Sequence, residues 1–291
     1  MMQSSTLTKQ QEIRNLLPSY LTEYLTPRTE EIRFRRNRPV IFLENQQELI
    51  TPYRYNAQEL ENLVDRLTEG SLSSFFESIK VGYITIKGGH RVGLSGTAVY
   101  EGNQLAYMKD ISSVNLRIAR EVNGSADRLF QTVGHLDPFP GILLISPPGH
   151  GKTTLLRDFI RQLSEKRVGM RISVVDERGE IAASYQGELQ HNLGIRCDVL
   201  NGYQKADGIR MAIRSLSPDV IAVDEIGTAA DEDSLLYAFH AGVSVVATVH
   251  GHDQENFRKN IRRLTAERVF SYEVYLSKHN ADDRIQSIVK V

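Results

Sequence analysis

The stretch that decides the fold is residues 141–156, GILLISPPGHGKTTLL, where a strand-like apolar run enters a glycine-rich turn and an apolar helix follows. Gly149 and Gly151 can adopt backbone angles that point successive N–H groups toward one place, which forms a cradle for an anion. A helix that begins near Lys152 adds the partial positive charge of its N-terminus. The stretch therefore predicts a phosphate-binding loop.

The residues of this loop have predicted roles in binding ATP with Mg²⁺. Lys152 is expected to reach the β- and γ-phosphates, and the hydroxyl of Thr153 to bind Mg²⁺. Ser146 stands where the Gly-x4-Gly-Lys-Ser/Thr pattern has its first glycine, which is a small departure from the pattern. The alternative is a glycine-rich turn that binds nothing. The residues predicted to contact the nucleotide are Pro148, Gly149, His150, Gly151, Lys152, Thr153 and Thr154.

Composition indicates a soluble globular protein. The chain has 291 residues, of which 41% are hydrophobic and 24% charged, with a formal net charge of −1. This length suits one large domain or two of ordinary size. The charge shows no overall basic excess of the kind that favours nucleic acid, and the single cysteine, Cys197, excludes an internal disulfide. No apolar run approaches the ~18–20 residues that span a bilayer. We therefore expect a cytoplasmic protein that reaches a membrane only through partners.

The order of patterns along the chain predicts two domains. Residues 1–122 mix a helix over Lys9–Tyr24, an alternating strand over 31–44, a helix from Asn56, and strands over 82–108 and 112–121, which indicates an α+β domain. Residues 123–140 read as a linker ending in the helix-breaking DPFPG. Residues 141–291 alternate short apolar strands with amphipathic helices and end in two strands, which predicts an α/β domain with a mostly parallel sheet.

An acidic pair closes a later strand of this domain. DVIAVDE, residues 219–225, is an apolar run that ends in Asp224 and Glu225, and parallel sheets place their ligands at such strand ends. Asp224 suits the Mg²⁺ shell, and Glu225 is a candidate base that orients and polarises the attacking water. The alternative is a strand that simply ends in solvated acids.

Further polar residues follow two other strands. Asp176, Glu177 and Glu180 come just after the apolar run of RISVVD and either face the γ-phosphate or merely cap a helix. His250 ends the strand VSVVATVH and is predicted to sense the γ-phosphate or transmit its loss, with Thr248 as a second polar candidate. A lone histidine at a strand end is more often structural, and this reading applies most to His252.

Four segments together resemble the ATPases of bacterial type II and type IV secretion systems: ISPPGHGKTTLLRD, VVDERGEIAA, IRSLSPDVIAVDEIG and AGVSVVATVHG. The segments GGHRVGLSGTAVYEG and SSVNLRIARE resemble more narrowly the stage III AA proteins of spore-forming Firmicutes. The resemblance spans about Arg33 to His252. It implies a RecA-like P-loop ATPase domain preceded by a smaller α+β domain. The four-cysteine zinc module of some type II relatives is absent from this sequence.

The resemblance also implies residue roles. Lys152, Thr153, Asp224 and Glu225 match the two nucleotide motifs, Glu180 matches the glutamate of an acidic box, and His250 matches the histidine of a fourth box. Arg214 matches an arginine that precedes the Pro-Asp pair. Such relatives form hexameric rings in which an N-terminal domain supplies arginines to the nucleotide. The matching candidates are Arg91, Arg117 and Arg120, for each of which a surface ion pair is the alternative.

Three functions remain open at this point. The resemblance favours a ring-forming ATPase that energises assembly of, or transport through, an envelope complex in sporulation, with membrane proteins of that complex as partners. A nucleic-acid motor is the second reading. It rests on two basic segments, one of which is EIRFRRNRP with Arg33, Arg35 and Arg38, but no aromatic stacking platform is evident, so nucleic acid is not the expected partner. The third is a nucleotide-gated binding module with little turnover. The other basic segment, ENFRKNIRRLTAER, comprises Arg258, Lys259, Arg262, Arg263 and Arg268.

Overall fold

The computed structural model describes residues 2–70, 82–251, 261–277 and 284–291. Its contacts divide the chain into two units. The first unit comprises Met1–Glu121 and Ala183–Gln190, and the second comprises Val122–Ala182 and His191–Val291. The predicted domains differ from this division in two respects. Residues 183–190, which the sequence assigned to the α/β domain, belong to the first unit, and residues 123–140 are part of the second.

The described ranges contain helices and strands of ordinary length, and none of these helices is long and apolar enough to span a membrane. The helices are α1 (Met2–Leu16), α2 (Ser19–Thr22), α3 (Ala57–Leu67), α4 (Asp127–Val133), α5 (Lys152–Lys166), α6 (Lys205–Ser215), α7 (Ala229–His240) and α8 (Arg262–Ala266). The strands are β1 (Glu31–Arg35), β2 (Pro39–Glu44), β3 (Gln47–Arg54), β4 (Ile84–Thr85), β5 (Arg91–Glu101), β6 (Gln104–Arg117), β7 (Ile142–Ser146), β8 (Ile172–Asp176), β9 (Cys197–Asn201), β10 (Val220–Ile226), β11 (Ser244–His250), β12 (Tyr272–Leu276) and β13 (Ile285–Lys290).

The first unit is an antiparallel sheet with helices, as an α+β domain requires. Its strand order is β3-β2-β1-β6-β5-β4. Asn56 is the N-cap of helix α3, and its side chain accepts a hydrogen bond from the N–H of Glu59 in a capping box. The unit has its own core, in which α3 and the sheet bury large apolar side chains. Members of that core include Ile32, Phe34, Phe42, Leu60, Leu63 and Leu116.

Three predictions for the first unit were wrong in detail. The helix predicted over Lys9–Tyr24 is interrupted, because Pro18 cannot continue a helix and α1 ends at Leu16. The strand predicted over residues 31–44 is two strands, β1 and β2, joined by a turn in which Asn37 has a φ of 58°. The separate strand predicted over residues 112–121 is the end of β6, which pairs with both β1 and β5.

The second unit contains the predicted parallel sheet. Its strand order is β13-β12-β7-β11-β10-β8-β9, and every neighbouring pair is parallel except β12 and β13. The predicted pair of terminal strands is confirmed as β12 and β13, and the residues predicted to join them lie outside the described ranges. The edge strand β9 was not predicted. Because β7, β8, β10 and β11 run the same way, their carboxyl ends meet at one edge of the sheet.

One buried carboxylate fixes the helix that follows the phosphate loop. Asp158 of α5 is almost fully buried, and its Oδ2 atom accepts hydrogen bonds from Ala126 N at 2.8 Å and Gln162 Nε2 at 3.0 Å. Its Oδ1 atom pairs with Arg161 at 2.6 Å. Asp158 therefore joins α5 to the start of α4 in a place where water cannot replace its partners.

We expect Asp158→Ala to destabilise the second unit by about 3 kcal/mol, because it leaves buried donors without an acceptor. The measurement is urea unfolding followed by circular dichroism. Glu165→Ala on the same helix is the matched control, since the contacts of Glu165 with Arg161 and Asn192 are exposed, and its effect should stay within about 1 kcal/mol. Equal effects of the two variants would contradict the assigned role of Asp158.

Candidate functional site

The predicted phosphate loop has the backbone of an anion cradle. Strand β7 is buried throughout and ends at Ser146, and α5 begins at Lys152. Between them, Gly149 and Gly151 have φ values of 73° and 88°, a left-handed region that L-residues with side chains rarely adopt. The loop thus places glycine where its backbone requires it, directly before a helix N-terminus.

Lys152 is buried, and its ammonium group donates hydrogen bonds to the end of β7 and to the end of β11. Its Nζ atom lies 2.8 Å from Ser146 O and 2.9 Å from His250 Nδ1. Burial lowers the pKa of Lys152, and the carboxylates of Asp224 and Glu225 oppose that shift. A phosphate oxygen would be a stronger, charged acceptor for the same ammonium group.

Asp224 joins the acidic strand to the phosphate loop. Its Oδ2 atom accepts a 2.7 Å hydrogen bond from the Thr153 hydroxyl, and its Oδ1 atom accepts one from Thr248. A hydroxyl and a carboxylate oxygen at this separation suit Mg²⁺, which prefers oxygen ligands, takes one or two from protein and completes its shell with water and phosphate. Thr153 and Asp224, the predicted metal ligands, therefore fit that ion.

Glu225 sits in an unusual backbone conformation. Its φ is 51°, and the pairing of β10 with β11 shifts register between Val223 and Ile226. Its N–H donates to Thr248 Oγ1 at 2.8 Å, and its carbonyl accepts from Lys205 Nζ at 2.9 Å. These two contacts stabilise a left-handed residue that would otherwise be strained.

His250 connects the phosphate-loop lysine with the predicted base. Its Nε2 atom lies 2.9 Å from Glu225 Oε1, while its Nδ1 atom lies 2.9 Å from Lys152 Nζ. The lysine ammonium only donates, so Nδ1 accepts and Nε2 carries the proton donated to the carboxylate. The structure thus brings His250 and Glu225, predicted from separate strand ends, into direct contact.

Asp176, the last residue of β8, organises the turn that follows this strand. Asp176 is buried and accepts hydrogen bonds from the backbone N–H groups of Glu180, Ile181 and Ala182. Burial raises the pKa of Asp176, and those three hydrogen bonds act against the rise. Asp176 therefore shapes the turn that carries Glu180.

That turn faces the acidic pair across a small cavity. Glu180 lines the cavity together with Asp224 and Glu225. The guanidinium group of Arg157 holds this part of the turn, because its Nη2 atom donates a 2.8 Å hydrogen bond to Glu180 O. The three acids, which were predicted from two segments of the sequence, thus line one cavity.

Arg214 is not brought to this site within the second unit. It lies exposed in the last turn of α6, whereas Lys205 at the first turn contacts Glu225. Nine residues separate the two along the helix, or roughly 14 Å at 1.5 Å per residue. The catalytic role implied for Arg214 stays a prediction without support from this geometry.

The other predicted arginines lie in the first unit. Arg91 and Arg117 are cross-strand neighbours on β5 and β6, and Arg91 stacks on Tyr83 with its Cζ atom 4.7 Å from the ring centroid. Arg120 bonds the backbone carbonyl of Arg28 and pairs with Glu30 at 3.5 Å. Arg117 is exposed and lies 4.0 Å from Glu31, so each of the three arginines has a partner within the first unit.

The remaining candidates are peripheral to these contacts or outside the described ranges. His150 donates from Nδ1 to Pro148 O at 3.0 Å, which closes the tip of the loop, and Thr154 lies on the first turn of α5. His252, Arg258 and Lys259 are outside the described residues.

Two basic residues of the site were missed by the sequence analysis. Arg178 pairs with Glu225 Oε2 at 2.7 Å. Lys205 is buried and lies 3.5 Å from Glu177 Oε2 and 3.6 Å from Asp231 Oδ1, in addition to its bond to the Glu225 carbonyl. Arg178 had a weak signal, since it follows Asp176 and Glu177 in the acidic segment. No signal in the sequence marked Lys205, because its position beside the acids depends on how α6 packs.

The fold of this chain is that of the RecA-like secretion ATPases. The ATPase DotB of Legionella pneumophila superposes with a TM-score of 0.59, at 20% identity over 88% of this chain and 74% of that one. The pilus retraction motor PilT, solved with bound ADP, superposes with a TM-score of 0.53, at 15% identity over 86% of this chain and 74% of that one. At these identities the likeness establishes the fold alone.

Sequence comparison identifies the family. The chain belongs to the family described as sporulation stage III, protein AA, whose model matches residues 6–290. It is 39% identical over 289 residues to stage III sporulation protein AA of Bacillus subtilis (strain 168), which covers 95% of this chain and 94% of that protein. It is also 32% identical to protein SEEDLING PLASTID DEVELOPMENT 1 of Arabidopsis thaliana, over 52% of this chain and 22% of that protein. The resemblance inferred from the sequence is thereby confirmed.

We expect Lys205→Met to destabilise the second unit by about 2–4 kcal/mol, because it keeps the length of the side chain but leaves neighbouring acids without a buried cation. Thermal unfolding by calorimetry measures the effect. Arg210→Met on the same helix is the control, since Arg210 is half exposed and its pair with Asp207 spans 3.9 Å. A Lys205→Met protein as stable as the control would show that Lys205 does not hold this part of the site.

Proposed function

We propose that this protein hydrolyses ATP in a Mg²⁺-dependent reaction at the edge formed by β7, β10 and β11. The observation that carries the proposal is the hydrogen bond between Thr153 and Asp224, which joins a phosphate loop to an acidic strand end. A loop that only binds anions does not need a carboxylate at that position. A metal–triphosphate complex needs both.

Each residue of the site has a role in this reaction. Lys152 and the loop N–H groups bind the β- and γ-phosphates, and Thr153 and Asp224 hold the metal. Mg²⁺ supplies charge neutralisation for the phosphate oxygens. Glu225 orients the attacking water and accepts its proton, and the contact of His250 with both Glu225 and Lys152 makes the base responsive to phosphate at the loop.

The wider activity follows from the family and the fold class. We propose that subunits assemble into a ring, by expectation hexameric, in the cytoplasm, and that the ring works on membrane proteins of an envelope complex during sporulation. Hydrolysis would then energise assembly of, or transport through, that complex. Of the three candidate arginines of the first unit, Arg117 is the best placed to act on a nucleotide, because it is the most exposed and its pair with Glu31 spans 4.0 Å. Nucleic acid is not a proposed partner.

Glu225→Gln should lower ATP turnover by about 10²–10⁴-fold while ATP stays bound, because the amide cannot accept the proton of the attacking water. Phosphate release and retention of radiolabelled ATP on a filter measure the two quantities. Lys152→Ala should lose ATP binding together with turnover. Glu165→Gln, which removes the same charge from an exposed position on α5, should leave both unchanged.

Unchanged turnover in the Glu225→Gln protein would show that Glu225 is not the base. Tight ATP binding with no turnover in the unmodified protein, at any concentration, would favour a nucleotide-gated binding module over an ATPase.

Turnover per subunit should rise with protein concentration, because an arginine from outside the site can raise the rate of phosphoryl transfer by about 10³–10⁵-fold. Activity across a dilution series, measured alongside sedimentation velocity, tests this. Arg117→Ala should flatten the rise without preventing assembly. A constant activity per subunit while the sedimentation coefficient changes would contradict the proposed contribution between subunits.

A further inference from the structure

An arginine from the C-terminal hairpin lies against the phosphate loop. A Cβ built on Gly151 would be 3.2 Å from both Cδ and Cζ of Arg284 and closer still to Nη1. The guanidinium group therefore occupies the space beside the last glycine of the loop. Gly151 has two reasons to lack a side chain: its φ of 88° and this close approach.

The backbone that carries Arg284 is anchored on both sides. Ser277 N donates to Arg284 O at 2.8 Å, which closes the start of the β12–β13 pair. Arg128 Nη1 of α4 donates to Ile285 O at 2.8 Å, and the Ile285 side chain is buried. Arg284 thus extends from a fixed point rather than from a free chain end.

The charge of Arg284 is not neutralised by any carboxylate that the structure describes. Within the described ranges no acidic side chain lies at ion-pair distance from its guanidinium, and the residue itself is exposed. A guanidinium is always charged and presents several donors in a plane, which suits it to phosphate oxygens. A cation that lies beside an anion cradle, with no carboxylate of the described residues at ion-pair distance, is suited to an anionic ligand.

The strand order places Arg284 on the opposite flank of the loop from the acids. In the sheet order β13-β12-β7-β11-β10, the hairpin lies on one side of β7, whereas His250 and Asp224 end the two strands on the other. The γ-phosphate is expected on the side of the acids and the base. The nearest nucleotide groups to Arg284 are then the α- and β-phosphates, which ATP and ADP share.

We infer that Arg284 is a phosphate-binding residue that contacts the α- and β-phosphates of the nucleotide within its own subunit. The inference rests on the proposed nucleotide site and adds a cation that no motif of the sequence indicates. It predicts equal contributions to ATP and ADP affinity, because both ligands carry the phosphates concerned. An arginine acting on the γ-phosphate would instead favour ATP over ADP.

The experiment is calorimetric titration of the full-length protein with ADP, and with ATP in the Glu225→Gln background so that no hydrolysis occurs. Arg284→Ala should weaken both affinities by the same factor, about tenfold to a hundredfold, as loss of a hydrogen bond to a charged group would do. Arg284→Lys should recover part of the loss. Lys290→Ala, which removes an exposed cation at the other end of β13, should change neither affinity.

Different outcomes separate this inference from the proposed function. Unchanged ADP and ATP affinities in Arg284→Ala, with binding lost in Lys152→Ala, would overturn the inference and leave the proposed site intact. A loss confined to ATP would also overturn it, by moving the contact to the γ-phosphate. If the unmodified protein bound neither nucleotide, the proposed function itself would fail, and this inference with it. Matching unfolding temperatures for the variants would confirm that the fold is retained.

Discussion

The hydrogen bond from Thr153 to Asp224 is the constraint on which the site depends. It requires that β7 and β10, which are separated in the sheet by β11, end at the same level, so that the first turn of α5 lies over the acidic strand end. Thr248 of the intervening strand contacts the other oxygen of Asp224 and completes the link. Three parallel strands thus define one carboxylate position, and rigid elements hold it more closely than loops would.

The second acid of the pair, Glu225, is held by its backbone in a left-handed conformation that a glutamate rarely adopts. A left-handed non-glycine residue costs about 1–3 kcal/mol, and such residues persist where their surroundings over-determine them. Here the surroundings are Thr248 at the N–H and Lys205 at the carbonyl. As a consequence, the Glu225 side chain does not follow the alternating side-chain directions of β10, and its carboxylate contacts His250 and Arg178 instead.

The fold and much of the site could be predicted because their signals are local. Glycines before Lys152, and acids or a histidine after short apolar runs, mark strand ends, and parallel strands bring their ends together. The fold class and the family were confirmed, while the chemical roles of the residues stay predictions. Lys205, β9 and the assignment of residues 183–190 could not be predicted, because each depends on packing between segments distant in sequence. Arg214 was predicted from a local motif, but it lies at the end of α6 that is distant from the acids.

The division of the chain at Ala183 and Gln190 has a topological consequence. The polypeptide passes from one unit to the other three times, after Glu121, after Ala182 and after Gln190. The second passage comes directly after the turn that Asp176 organises. The two units are therefore connected by three covalent junctions rather than by a single linker. One of these junctions follows Ala182 directly, so the connection between the units is continuous in sequence with the turn that carries Glu180.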